Sequence, residues 1–163
     1  MKPIRGAVAA LALGVAAAVA VPAGPAAAGA PALELVGTDA RTLDLSLDDL
    51  AALPQVTVKT ENEFSDGVVT YKGPLVRDVL AKLGLDKLDQ VRFIAANDYY
   101  VDIPTEDFAN YDAILAMEAN GEKLSRREKG PLWLMYPISD HAELKDPIYL
   151  RRLIWQVVRI QPL

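Results

Sequence analysis

Aromatic and cationic side chains lie close together in the carboxy-terminal part of this sequence. An apolar run between Gly130 and Pro137 holds one tryptophan and one tyrosine, and the second tryptophan follows a pair of arginines. These residues are Trp133, Tyr136, Arg151, Arg152 and Trp155. Flat rings stack on planar ligands, and guanidinium groups bind carboxylates or phosphates through two parallel hydrogen bonds. The combination indicates a site for a planar, polar, anionic ligand.

The same residues also have a purely structural interpretation. Trp133 stands in the middle of one apolar run and Trp155 at the start of another, and both positions are typical of core aromatics. The basic residues can equally be solvated loop charges that aid solubility. Composition and spacing leave both interpretations open.

Other side chains offer few of the groups that catalysis needs. His141 is the only histidine and the sequence has no cysteine, so a zinc or copper site would depend on carboxylates. A serine and an aspartate directly precede this histidine, but adjacency in sequence is not the geometry of a catalytic triad. Glu61, Glu63 and Asp66 cluster in one loop, where carboxylates could act as acid and base or simply form a solvated surface.

Residues 1–28 are predicted to be a cleavable signal peptide. Lys2 and Arg5 precede an apolar run of about 15 residues from Ala7 to Val21, which is short for a membrane span. Small residues at 26–28 form a cleavage site, and an uncleaved anchor is the alternative. Residues 29–163 then form a single domain of a periplasmic or secreted protein.

The mature domain is acidic and free of cysteine. Removing the two basic residues of the leader changes the net charge from −5 to −7, which makes nucleic acid and anionic membranes poor partners. Packing alone must stabilise this exported domain. Thiol redox chemistry, cysteine nucleophiles and cysteine-ligated metals are excluded.

Short strands and frequent turns dominate the rest of the pattern. Strands are predicted at 33–36, 56–60, 68–71, 91–96, 99–103, 113–117, 132–136 and 155–160. Ser46 is a good N-cap for a short helix that ends at Pro54, and Gly73 opens a second helix that Gly84 stops. Because helices and strands do not alternate regularly, the pattern predicts an α+β, mainly β domain with a few short helices at its edge.

Five segments of the chain, taken in order, resemble the molybdopterin-binding domain of the sulfite oxidase family. They are the aromatic-x-Gly segment at 71–75, the polar-Tyr segment at 97–104, the Asn-Gly hairpin at 114–124, the glycine-proline strand at 127–137 and the tryptophan strand at 155–160. The resemblance covers most of residues 33–162. It implies a sulfite oxidase-like fold and a pterin or molybdopterin-like ligand.

One departure from that family concerns the metal. In its molybdenum enzymes a cysteine shortly before the aromatic-x-Gly segment binds molybdenum, and here Thr60 stands at that place. A threonine hydroxyl is no thiolate, so molybdenum ligation as in the enzymes is doubtful. Trp133 stands where the oxidases place an arginine, which would replace an anion-binding group by a stacking surface.

The sequence is also similar to small exported pterin-binding proteins that report pterin levels to a membrane signalling protein. The resemblance implies stacking by Trp133 or Tyr136, recognition of the aminopyrimidinone edge by Asn62, Asn97 or Asp98, and contact of Arg151 or Arg152 with a side-chain hydroxyl or phosphate. The full predicted cofactor-binding set is Thr60, Asn62, Asn97, Asp98, Tyr99, Trp133, Tyr136, Arg151 and Arg152. No catalytic or metal residue is predicted.

Three functions remain open at this point. The favoured one is a non-catalytic, exported pterin-binding protein that serves as a sensor subunit for the periplasmic domain of a membrane protein. The second is a molybdopterin-dependent oxidoreductase or its accessory subunit, and the third is an interaction domain that kept the fold and lost the pocket. Whether the chain is an enzyme is not decided by its sequence.

Overall fold

The computed structural model describes residues 29–163, and this part of the chain forms eleven β-strands and four short α-helices. The strands are β1 (Pro31–Val36), β2 (Thr42–Ser46), β3 (Gln55–Thr60), β4 (Val69–Pro74), β5 (Gln90–Ala95), β6 (Tyr100–Pro104), β7 (Ile114–Ala116), β8 (Glu118–Ala119), β9 (Glu122–Lys123), β10 (Trp133–Met135) and β11 (Val157–Pro162). The helices are α1 (Leu47–Ala51), α2 (Val76–Ala81), α3 (Glu106–Asn110) and α4 (Pro147–Leu150). Three 3-10 turns lie at Leu85–Lys87, Arg126–Glu128 and Ala142–Lys145. The predicted α+β, mainly β class is confirmed.

A five-stranded sheet brings the two ends of the described chain together. Its strand order is β2-β1-β11-β5-β6, and β1 pairs with β11 in parallel while the other neighbours are antiparallel. Alternate residues of β1 and β5 are buried, including Leu33, Leu35, Val91 and Phe93. One face of this sheet therefore packs on the core, as the alternation in the sequence requires.

A four-stranded sheet of order β3-β4-β8-β9 and the antiparallel pair β10-β7 form the other side of the domain. The strands β4 and β7 come close together at Gly73. A Cβ on this glycine would lie 1.9 Å from the carbonyl oxygen of Leu115. The absence of a side chain at Gly73 thus allows β4 to lie against β7.

Local sequence signals explain the start of α1 and the turn that follows α2. The predicted start of the second helix at Gly73 is wrong, because Gly73 lies in β4 and α2 begins at Val76. Ser46 Oγ accepts a hydrogen bond from the backbone N–H of Asp49 at 3.1 Å, and the Asp49 carboxylate accepts one from the Ser46 N–H at 2.8 Å. This capping box confirms the predicted N-cap. Helix α1 ends at Ala51, three residues before the predicted stop, while Gly84 follows α2 in a left-handed conformation with φ of 67°.

Several short elements were not predicted, and strand β2 and helix α4 are two of them. Strand β2 has the alternating sequence Thr-Leu-Asp-Leu-Ser, but it runs directly into the N-cap of α1 and its five residues were not recognised. Helix α4 is a single turn with Pro147 at its first position and Asp146 as its N-cap. The predicted hairpin over Asn97 and Asp98 is confirmed, because β5 and β6 pair antiparallel on either side of that turn.

No helix among residues 29–163 is long and apolar enough to cross a membrane.

Candidate functional site

The candidate site is a pocket of about 360 Å³ between the β5–β6 turn and the segment that joins α4 to β11. We call it the hairpin pocket. Its lining residues are Glu63, Phe64, Ala95, Asn97, Tyr99, Leu150, Arg151, Leu153, Ile154 and Trp155. The volume falls in the range of small-molecule sites. An apolar lining with a few polar groups is also typical of such sites.

Aromatic rings form one wall of the hairpin pocket. Trp155 keeps 38% of its surface exposed, and the Phe64 ring packs edge-on against it with 5.2 Å between the centroids. Lys129 Nζ lies 6.0 Å from each of these two centroids and 5.1 Å from that of Trp133, which is within cation–π range. The ammonium group therefore lies beside the ring cluster that borders the pocket. Trp155 is the ring against which a flat ligand can pack.

Three polar side chains of the pocket lining have free hydrogen-bonding capacity. Arg151 Nε donates to the carbonyl oxygen of Pro147 at 3.3 Å, and the terminal nitrogens of the guanidinium have no partner among the described residues. Asn97 Oδ1 accepts from the Tyr99 N–H at 3.2 Å, which leaves its amide NH₂ available. Glu63 makes no side-chain hydrogen bond or ion pair within the described part of the chain. A ligand can thus find one anion, one cation and one amide here.

A second pocket of about 350 Å³ adjoins the first, and the two share Glu63 and Leu150. It is lined by Glu61, Asn62, Glu63, Ile138, Ser139, Lys145 and Leu150. Its wall is tied together by Thr60, whose Oγ1 accepts from the Ser139 N–H at 3.1 Å. Ser139 Oγ in turn accepts from the Glu61 N–H at 3.0 Å. Two distant loops are therefore joined at the floor of this pocket.

Asn62 organises the loop that carries Glu63 and Phe64. Its side chain is buried, with Oδ1 accepting from the Phe64 N–H at 2.8 Å and Nδ2 donating to the Tyr71 hydroxyl at 3.4 Å. These contacts use the amide for the protein's own structure. Asn62 borders the second pocket, but the aminopyrimidinone-binding role predicted for it would require a group free to contact ligand.

The structure places both residues predicted to stack on a pterin in the core. Trp133 is 3% exposed, and its indole Nε1 donates to the carbonyl oxygen of Leu153 at 3.1 Å. Tyr136 is fully buried, and its hydroxyl donates to Asp107 Oδ2 at 2.7 Å. Burial and the adjacent Asp107 carboxylate raise the pKa of Tyr136 well above its usual range. Neither ring lines the hairpin pocket, because β10 runs through the interior.

The two adjacent arginines have opposite orientations. Arg151 lines the hairpin pocket, whereas Arg152 points inward and forms an ion pair with Asp107 at 2.5 Å. The Arg152 guanidinium also lies 4.9 Å from the centroid of the Tyr149 ring. Both partners of the ion pair are about nine-tenths buried, so Arg152 is already committed to the protein interior.

Some of the remaining predicted residues line the hairpin pocket and others do not. Asn97 and Tyr99 line the hairpin pocket. Asp98 is exposed at the hairpin turn with a left-handed φ of 64° and is not part of the pocket lining. Thr60 is fully buried beneath the second pocket. The structure therefore brings Asn97, Tyr99 and Arg151 together in the lining of the hairpin pocket. The lining does not include Asp98, Trp133, Tyr136 or Arg152.

The lining residues that were missing from the predicted set include three that supply a charge or an aromatic ring, namely Glu63, Phe64 and Trp155. Phe64 carried a usable signal, since it is the one large apolar side chain in the polar stretch 61–67. Trp155 was interpreted as a core residue by its position at a strand start, but β11 begins only at Val157. Glu63 had no signal that separated it from the other acids of its loop.

The donor atoms at Thr60, where the resemblance places the metal-binding cysteine of the family's enzymes, do not fit a cysteine-ligated molybdenum. The sequence contains no thiolate, and the Thr60 hydroxyl is buried and hydrogen-bonded to Ser139. Among residues 29–163, no group of three or more histidine, aspartate or glutamate side chains is placed to hold a metal ion. The hairpin pocket, by contrast, offers stacking and hydrogen-bonding groups to an organic ring.

The fold and the site together define a sulfite oxidase-type molybdopterin-binding domain. The model of the oxidoreductase molybdopterin binding domain family matches residues 22–140, and the chain therefore belongs to this family. The family name describes binding of molybdopterin. No curated protein matches the chain.

A solved structure supports the fold assignment. The domain is similar to a chain in the crystal structure of the sulfane dehydrogenase SoxCD from Paracoccus pantotrophus, with a TM-score of 0.58 and 20% sequence identity. The match covers 79% of this chain and 37% of the SoxCD chain. At this identity the similarity shows a shared fold, and this chain spans well under half of the SoxCD chain.

Proposed function

We propose that this protein is an exported, non-catalytic binder of a pterin. The observation that carries the proposal is the hairpin pocket. It combines the exposed Trp155 ring with the free polar groups of Asn97, Arg151 and Glu63. Family membership supports a ligand of the pterin class, since the family is defined by molybdopterin binding.

The chemistry of a pterin suits this pocket. Its fused ring is flat and can pack against Trp155, while its edges carry both hydrogen-bond donors and acceptors. The amide of Asn97 and the guanidinium of Arg151 can donate to ring nitrogens or to the carbonyl oxygen. A pocket of about 360 Å³ is large enough for a bicyclic ring with a short substituent.

Within residues 29–163, the lining of the pocket holds one carboxylate, Glu63, and no histidine, serine or threonine, so ligand binding is the function that its side chains support best. Nucleophilic and proton-transfer mechanisms need a base held beside the reacting group. His141 lies outside the lining, where its ring packs edge-on against Tyr111 at 5.1 Å and its Nδ1 lies 3.5 Å from Glu143. Thr60 is fully buried and accepts a hydrogen bond from the Ser139 N–H, so its hydroxyl is not free to act as a nucleophile on a ligand.

The proposal includes a sensory role outside the cytoplasm. The predicted signal peptide supports a periplasmic or secreted location. The rim of the hairpin pocket exposes half of the Tyr99 side chain beside the partly exposed Trp155. A partner that touches this rim would distinguish the empty from the filled pocket. We propose the periplasmic domain of a membrane signalling protein as that partner.

Small molecules released from the natively exported protein test the proposal. Mass spectrometry of the denatured sample is expected to show a pterin in near-stoichiometric amount, and metal analysis of the intact sample is expected to show no molybdenum. Stoichiometric molybdenum would instead support the oxidoreductase alternative. If the protein releases no pterin and binds none from a panel of oxidised and reduced pterins, the proposal is wrong.

A further inference from the structure

We propose that Glu63 makes the hairpin pocket selective for 2-amino-4-oxopteridines over 2,4-dioxopteridines. This inference rests on the proposed pterin-binding function and adds the specificity-determining residue to it. The proposed contact is a pair of hydrogen bonds from the 2-amino group and the N3–H of the ligand to the two carboxylate oxygens of Glu63.

The position of Glu63 is the first support. Among the described residues it is the one carboxylate in the lining of the hairpin pocket, and it has no hydrogen-bonding partner there. Its neighbour Phe64 packs on Trp155, and the N–H of Phe64 is held by Asn62 at 2.8 Å. The backbone that carries Glu63 is therefore fixed beside the ring against which a flat ligand packs.

The balance of charges is the second support. The lining holds one anion, Glu63, and one cation, Arg151, so it suits a neutral ligand with a donor edge and an acceptor edge. A 2-amino-4-oxopteridine has adjacent donors at N2 and N3 and acceptors at O4 and N5. A carboxylate matches the first edge in bidentate fashion and a guanidinium matches the second.

A 2,4-dioxopteridine would bind less tightly beside the same carboxylate. Its oxygen at position 2 places an acceptor where the amino group places a donor, so one hydrogen bond is lost and two electronegative atoms face each other. A cationic ligand is also disfavoured, because Lys129 Nζ already lies 6.0 Å from the Phe64 and Trp155 centroids. The class of ligand that remains has a neutral ring with a donor edge.

Pterin and lumazine, which differ in the amino or oxo group at position 2, are the matched probes. Isothermal titration of the full exported chain is expected to show roughly tenfold or greater preference for pterin, the range of a charge-assisted hydrogen bond. Glu63→Gln is expected to lose most of that preference, because the substitution lowers the affinity for pterin and leaves the affinity for lumazine unchanged. Glu61→Gln, a neighbouring loop acid outside the hairpin-pocket lining, is the matched control and is expected to keep it.

The outcomes separate this inference from the proposed function. If wild-type protein binds pterin and lumazine with equal affinity, or if Glu63→Gln retains the full preference for pterin, then Glu63 does not recognise the 2-amino group. The inference is then wrong, while the proposed pterin binding stands. If wild-type protein binds neither compound, the inference is wrong, and the panel of oxidised and reduced pterins decides the proposed function separately. Unchanged tryptophan fluorescence and thermal midpoint of Glu63→Gln would show that the variant is folded.

Discussion

Replacing Asp107 by asparagine is expected to be among the most destabilising near-isosteric changes in this domain. Asp107 Oδ2 accepts from Arg152 Nη1 at 2.5 Å and from the Tyr136 hydroxyl at 2.7 Å. Both charged side chains are about nine-tenths buried. Asparagine keeps the shape of the side chain and an oxygen for the tyrosine, but it leaves the Arg152 cation without a counter-charge.

The magnitude follows from the cost of a buried, unpaired charge. Removing one partner of a buried ion pair costs about 3–5 kcal/mol in free energy of unfolding. Solvent screens this pair little, because the Arg152 and Asp107 side chains are 11% and 9% exposed. Since a domain of this size has a total stability of about 5–15 kcal/mol, the change removes a large share of it.

Urea denaturation followed by tryptophan fluorescence measures this effect. With an m-value of about 1.5 kcal/mol/M, the midpoint of Asp107→Asn is expected to fall by about 2–3 M. Arg41→Met is the control, because it breaks the Arg41–Asp39 pair of similar length whose side chains are 75% and 52% exposed. Its midpoint is expected to match that of the wild type, since exposed pairs contribute little.

The comparison of the two variants can refute the reasoning. If Asp107→Asn shifts the urea midpoint no more than Arg41→Met does, the Arg152–Asp107 ion pair is solvated in solution and contributes little to the stability of the domain. A Tyr136→Phe variant, which keeps the ion pair and removes one hydrogen bond, is expected to lie between them at about 1–2 kcal/mol.

Three further predictions concern the core. Because burial raises the pKa of Tyr136 above its ordinary 10.0, the folded state keeps a proton that the unfolded state releases at alkaline pH. The free energy of unfolding is therefore expected to fall as the pH rises above 10. Alkaline denaturation should show this fall in the wild type and a smaller one in Tyr136→Phe. Gly73→Ala is expected to prevent folding by its clash with the Leu115 carbonyl, while Gly67→Ala, with open space but φ of 77°, costs about 1–2 kcal/mol in the same urea assay. Trp133→Ala is expected to cost about 3–5 kcal/mol, and a loss under 1 kcal/mol would show that its ring is not core.

Signals that act within a few residues made much of the fold predictable. The Ser46 capping box, the left-handed Gly84 and the hairpin turn at Asn97 and Asp98 each depend on adjacent backbone and side-chain chemistry. The order of the five family-like segments supplied the rest of the fold, because local patterns cannot specify which strands become neighbours. Strand β2 was not predicted, because its last residue, Ser46, is also the N-cap of α1.

The candidate site was harder to predict because burial is decided by contacts between distant segments. Trp133 and Trp155 have similar sequence surroundings, yet β10 carries Trp133 through the interior and Trp155 stands before β11. Arg152 turns inward because Asp107, 45 residues earlier, lies beneath it. No spacing rule connects those two positions. Of the aromatic and cationic residues singled out in the sequence, Arg151 and Trp155 line the hairpin pocket. Trp133, Tyr136 and Arg152 are buried, and this division could be seen only in the structure.

Titration of the purified protein with reduced and oxidised pterins tests the central claim most directly. Calorimetry is expected to show binding of at least one pterin at one site per chain, and Trp155→Ala is expected to weaken it by roughly tenfold or more because the stacking surface is lost. Tyr100→Ala, an exposed aromatic of β6 that does not line the pocket, is expected to bind as the wild type does. Absence of heat with every pterin, or equal affinity of Trp155→Ala and wild type, would contradict the account.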